Sequence, residues 1–188
     1  NIDFNTDVYI NNDNTHQSTK ENATADSREV ESVSTSKNQM VATKLVLTYP
    51  IAKGMLSFGT EETFVRRDND DRSTGTGLPD ARSKVKDDTY AAFVQYAVAL
   101  GGNTHVTAGL RYEHAGFDYR DCIDAANNLH RSYNNLFPSA AVSTAFGKVR
   151  LSLNYASRTQ RPSFWQLNNS MQYHNRYVVQ QGNATLKP

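Results

Sequence analysis

The sequence predicts an all-β protein: an antiparallel meander of about eight strands forming a partial arc of a large transmembrane β-barrel. Three observations predict it. Apolar and polar residues alternate with a period of two along most of the chain. Short turns alternate with long polar connections, and aromatic residues gather where strands meet turns.

The elements follow in order. Near the start, Ile2, Phe4, Val8 and Ile10 alternate with Asp3, Asn5, Asp7 and Tyr9. The next stretch fits less well: segment 12–25 is a long connection where antiparallel parity asks for a short turn, and Arg28 to Ser34 alternates weakly. Leu45, Leu47 and Tyr49 then oppose Lys44, Val46 and Thr48, and Leu56, Phe58 and Phe64 oppose Ser57, Gly59, Glu61 and Thr63. From Tyr90 to Leu100 the even-numbered positions Tyr90, Ala92, Val94, Tyr96, Val98 and Leu100 form one set, opposed by Ala91, Phe93, Gln95, Ala97 and Ala99. Val106, Ala108, Leu110 and Tyr112 continue it in the next segment, with His105, Thr107, Gly109, Arg111 and Glu113 opposite. Ala140, Val142, Thr144 and Phe146 alternate with Ser139, Ala141, Ser143 and Ala145. Last, Val149, Leu151, Leu153 and Tyr155 alternate with Arg150, Ser152, Asn154, Ala156 and Arg158. A strand presents such sets to opposite faces, so one face suits hydrocarbon or a core and the other suits water.

The connections carry the second regularity. Pro50 to Gly54, Gly101 to Asn103 and Gly147 are short and rich in turn formers, while 67–86 and 119–132 are long polar loops. Strands that reverse at every connection put all short turns on one rim and all long loops on the other, as outer-membrane barrels do. Small residues on the polar face suit the wall of a wide wet space or a surface against a plug; a small filled barrel needs bulk inside. Tyr49 and Phe146 mark the short-turn rim, and Tyr90, Tyr112, Tyr119 and Tyr133 the long-loop rim, as in an interfacial aromatic girdle.

Composition narrows the function classes. With 20 basic and 19 acidic residues among 188, the chain has no footprint of a nucleic-acid partner. The single cysteine, Cys122, excludes an internal disulfide and a multi-thiolate metal site. No run reaches the ~20 apolar residues of a membrane helix. His16, His105, His114, His130 and His174 lack metal-ligand spacing, and Asp68, Asn69, Asp70 and Asp71 lack the rest of a calcium loop, so they read as a solvated loop tip. No nucleophile elbow or zinc-hydrolase helix occurs; no enzyme activity, catalytic residue, metal or cofactor is expected.

A series of short motifs runs through the chain. In order they are Asp88-Thr89-Tyr90-Ala91-Ala92-Phe93, Ala108-Gly109-Leu110-Arg111-Tyr112-Glu113, Asn135-Leu136-Phe137-Pro138-Ser139, Leu153-Asn154-Tyr155, Arg161-Pro162, Leu167-Asn168, Gly182-Asn183 and Leu186-Lys187-Pro188. Together they resemble the middle of the barrel of a TonB-dependent outer-membrane receptor, of the Bacteroidetes-type outer membrane protein beta-barrel family. Asn169 and Ala184 depart from the pattern, standing where such receptors commonly carry proline, which frees those two backbones.

The resemblance implies that 1–188 is a mid-barrel fragment of a receptor of roughly 22 strands, without plug domain, TonB-contact segment or C-terminal strand. The parent would take up an extracellular ligand across the Gram-negative outer membrane using inner-membrane energy. Its partners would be membrane lipid, TonB through the plug, and a small-molecule or glycan ligand whose identity no residue decides. Arg161, Pro162, Leu167, Asn168, Gly182, Asn183, Leu186, Lys187 and Pro188 would be structural motif residues. Pro162 removes a ladder donor, so a strand ends or bulges there, and Arg158 and Arg161 are placed to pin the following loop inward through carboxylates. Arg111, Glu113, Arg150, Asn154 and Arg158 are the polar candidates for facing the lumen. The rival reading is a complete small β-barrel or β-sandwich acting as a binding or adhesion module. An isolated piece, with bare edge strands and an uncovered apolar face, is expected to self-associate.

Overall fold

In the computed structural model the alternating segments form one antiparallel sheet. Its strands are β1 Ile2–Ala23, β2 Asp26–Ile51, β3 Gly54–Thr74, β4 Ala81–Leu100, β5 Thr104–Asp121, β6 Leu129–Phe146 and β7 Val149–Ala156, lying side by side in chain order. The structure describes residues 1–23, 26–75, 77–168, 170–175, 177–183 and 186, with the backbone alone at 21–23, 26–28, 164 and 165. Among the described residues no helix is long and apolar enough to cross a membrane. The sheet is open, with β1 and β7 at its edges.

Register turns the sequence alternation into continuous rows. Ile2, Leu47, Phe58, Val94, Leu110 and Pro138 stand side by side from β1 to β6. Val98, Val106, Val142 and Leu153 form another row on the same face. Among the described residues nothing covers this face: Phe4 is 65 %, Leu110 42 % and Leu153 74 % exposed. Such a surface suits lipid, and it is the reverse of what a β-sandwich does with its apolar rows. In β4 the outward apolar set runs from Tyr90 to Leu100; ten steps of about 3.4 Å, tilted by about 40°, give a band about 26 Å tall.

The strands overrun that band, which corrects the expected loops. Residues 67–86 are mostly ladder, because β3 runs to Thr74 and β4 starts at Ala81; 119–132 shrinks likewise to the connection between Asp121 and Leu129. Within segment 12–25, residues 12–23 are also strand, Asn12 opposing Lys37 and so on to Ala23 opposing Asp26. Parity is thereby restored: the β1–β2, β3–β4 and β5–β6 connections lie on one rim, and 52–53, 101–103 and 147–148 on the other. The physical reason is that each added pair extends an existing ladder at little cost, and backbone pairing does not require an apolar side chain. Ala52, Gly101 and Gly147 take φ of 54°, 68° and 59°, the left-handed conformation that the tight turns need.

The alternation also changes phase along each strand. Within the band the apolar residues of β4 and β5 point outward. Beyond it Val85, Ala115 and Tyr119 occupy the opposite, inner face and are buried, at 6 %, 2 % and 3 % exposure. Two expected girdle residues therefore move: Tyr119 and Tyr133 sit on the inner face, and only Tyr90 and Tyr112 mark the outer one. The same alternation splits the acidic run, with Asp68 and Asp70 outward and Asn69 and Asp71 inward, so it is a strand segment and not a loop tip.

What buries the inner residues is the chain after β7. Ser157 N donates to Pro138 O at 3.1 Å, and the chain then leaves the ladder as a strap of the described residues from 157 to 186. The strap contains a short helix, α1 Phe164–Leu167, and a separate hairpin, β8 Met171–Asn175 with β9 Val178–Gln181. It folds across the inner face of the sheet.

Candidate functional site

The strap is held on the inner wall by a line of charges. Register places Lys44, Glu61, Ala91 and Glu113 in one row across β2 to β5, with Arg111 two residues before Glu113 on the same face. Arg111 Nη1 donates to Glu61 Oε2 and its Nη2 to Glu113 Oε2, both at 3.1 Å. Ala91 stands between the two carboxylates, and its small side chain leaves room for the guanidinium to reach both. Lys44 Nζ lies 3.6 Å from Glu61. Arg161, from the strap, donates through Nη2 to the other oxygen of Glu113 and through Nη1 to Thr89 Oγ1 at 3.1 Å.

This ion pair is worth more than a surface one. The Glu113 and Arg161 side chains are 13 % and 27 % exposed, so solvent screens them weakly, and removing one partner leaves the other poorly solvated. Beneath the strap lies a cavity of about 170 Å³ lined by Val65, Val85, Phe117, Leu167 and Leu186, with Asp87 and Arg161 at its polar side. Two charges beside it, both beyond the apolar band, respond to the burial. Burial pushes the Asp87 carboxyl above its usual range against the pull of Arg161, with Asp88 and Glu113 adding to the rise. Burial likewise lowers the Arg67 guanidinium.

The structural motif residues meet inside the strap. Asn168 is buried; its Nδ2 donates to Ser170 Oγ at 2.8 Å and its Oδ1 accepts from Ser170 N at 3.2 Å. Asn183 N donates to Gln166 O at 2.6 Å, tying the Gly182-Asn183 turn to α1, and Leu186 O accepts from the Arg131 side chain on β6. Leu167 is buried and Pro162 lines the cavity. Gly182 borders a small recess with Asn168 and Ser170. Lys187 and Pro188 lie outside the described residues, as do Asn169 and Ala184.

The lumen-facing candidates divide. Arg111, Glu113 and Arg158 come together around an open recess that also includes Phe137 and Ser139. Arg150 and Asn154 share their face but stand lower on β7, opposite Ala145 and Ala141. Glu61, Thr89 and Asp87 were not singled out from the sequence as members of one site. The signal was present in the alternation, since all three have inner-face parity, but partners two strands apart are invisible without the register.

The chemistry available here is binding and positioning. Several charges are already matched to one another, and among the described residues no group of three or more acidic, histidine or cysteine side chains could hold a metal. A model of the outer membrane protein beta-barrel family matches residues 1–188, the full length of the sequence. No curated protein matches the chain.

Proposed function

Because the chain belongs to the outer membrane protein beta-barrel family, and so to the wall of an outer-membrane barrel, we propose that it serves a TonB-dependent receptor that imports an extracellular ligand. The observation that carries this reading is the strap clamped over the inner wall by Arg161 and Glu113. The inner wall carries small residues at Gly59, Ala91 and Gly109 between bulkier ones such as Phe93 and Phe137. A wide wall of this kind leaves space for a separate body inside the barrel.

In this reading the wall does no chemistry. A plug carried elsewhere in the receptor would contact TonB, and the strap and its neighbouring loops would meet the ligand at the long-loop rim. Copies of the chain in water, lacking lipid on the apolar face and partners on β1 and β7, would associate through these surfaces.

The test is uptake by the intact receptor against a panel of siderophores, glycans, peptides and cobalamin, with and without TonB. Uptake that needs TonB and drops when 157–168 is deleted supports the proposal. Equal passage in the absence of TonB overturns it in favour of a passive pore.

A further inference from the structure

We propose that the outward face of the strand extensions, directly beyond the apolar band, is a docking surface for phosphate-bearing glycolipid headgroups of the membrane in which the barrel sits. Inside the Tyr90 edge of the band the outward rows contain no charged residue, from Phe4, Leu45, Thr60, Ala92, Tyr112 and Leu136 down to Phe146 and Val149. The first charges on this face appear with Glu62 and with Asp88, which pairs with Arg66. Immediately beyond them the sign becomes positive.

Lys37, Asp68, Lys84 and Arg120 form one outward row across β2 to β5, and Asp70 and Arg82 pair in the next, with Arg72 following. Each carboxylate is outnumbered. Asp70 is shared by Arg72, at 3.1 Å, and Arg82, at 3.9 Å; Asp68 faces Lys37 across the ladder and has Lys84 at 3.8 Å. Lys86, which faces the outward Asp118, and Arg120 bring the count to six exposed cations against three carboxylates. The surplus comes from placement, because the whole chain carries a net charge of only +1. At the same height the inner face holds Arg67 and Arg131 against Asp71, Asp87 and Asp121, so the excess belongs to the lipid side alone.

A solvated strand face needs charge for solubility but not of one sign. This one borders a groove of about 380 Å³ lined by Lys37, Asp68, Asp70, Arg72, Arg82 and Lys84, at the level where headgroups begin. Four strands at about 4.8 Å spacing make the cationic surface some 15–20 Å wide, enough for several phosphates on one glycolipid. Basic residues at a membrane boundary attract anionic lipid additively and in a salt-dependent way, and the guanidinium forks of Arg72 and Arg82 match phosphate oxygens.

The test uses the full chain in detergent micelles with diphosphoryl lipid A as probe. We expect it to bind about tenfold or more tightly than the dephosphorylated lipid, with affinity falling as salt rises, and the pair Arg82→Glu with Lys84→Glu to abolish the preference. Should that pair fail to fold, Arg82→Gln with Lys84→Gln should weaken the preference in part. Equal binding of the two lipids, or either variant pair binding like the unaltered chain, overturns the proposal. Displacement of the lipid by an equal concentration of inorganic phosphate overturns the lipid source. The proposal does not depend on uptake and would stand if TonB coupling failed.

Discussion

Strand β4 carries the same antiparallel pairing on both sides of Tyr90, and the two halves have opposite polarity. From Tyr90 to Leu100 the outward residues are apolar and exposed or half-buried, and the inner ones are alanines apart from Phe93 and Gln95. From Ala81 to Thr89 the outward residues include Arg82, Lys84 and Lys86, and the inner ones include the buried Val85. The backbone is indifferent to which side is wet; the surroundings decide. In one half lipid takes the outward face, and in the other the strap takes the inner face.

The comparison can be broken at either half. The largest effect is expected from Leu110→Arg, which places a charge on the lipid face inside the band and should destabilise the barrel by about 2–4 kcal/mol in a bilayer. Equilibrium unfolding in lipid vesicles reads this directly. The matching control, Lys86→Leu on the outward face beyond the band, should cost well under about 1 kcal/mol. Equal costs would deny that the two halves lie in different solvents.

Next comes the strap. Leu167→Ala removes a buried side chain and should loosen the strap by about 2–3 kcal/mol, seen as faster proteolysis within 157–168 while the β4–β5 ladder stays protected. Loss of protection in both together would show that strap and wall form a single cooperative unit. Glu113→Gln removes the negative charge shared by Arg111 and Arg161 and turns one of its two acceptor oxygens into a donor, and should cost about 1–3 kcal/mol at the strap, again with the lower wall unchanged.

The smallest effect is set by pH at the β5–β6 connection. Burial alone would raise the Asp121 carboxyl. Hydrogen bonds from the Asn127 side chain and from the backbone of Asp124 and Ile123 outweigh it, so its pKa lies below the usual value. A carboxylate depressed in the folded state stabilises fully above its unfolded pKa and loses that contribution as pH falls through the folded one. Protection against hydrogen exchange at 122–128, corrected for the intrinsic pH dependence of exchange, should therefore fall in acid, and Asp121→Asn should remove that dependence. At the strap the sign is opposite: Asp87 is raised by burial, so Asp87→Asn should steady the strap at neutral pH.

How much of this was legible beforehand follows from where one alternation holds. Val149, Leu151 and Leu153 read as a lipid face at once, because each segment in the band keeps its phase for its whole length. Residues 67–86 read as a loop because the phase reverses near Tyr90, and a reversed alternation averaged over a window resembles none. Arg161 could be recognised as a motif residue, and its pinning role could be anticipated from the neighbouring proline. Its partner Glu113, 48 residues earlier, could not be singled out from other acids on the same face.

The amino-acid order by itself determined the strands, their outward rows and the tight turns, because period-two patterning and turn chemistry are local properties of the chain. Only the tertiary structure decided where the strands end, which face is dry beyond the band, and which acid holds the strap. Those depend on register and on a segment returning over the sheet from far along the sequence, and such long-range contacts leave no local pattern to read.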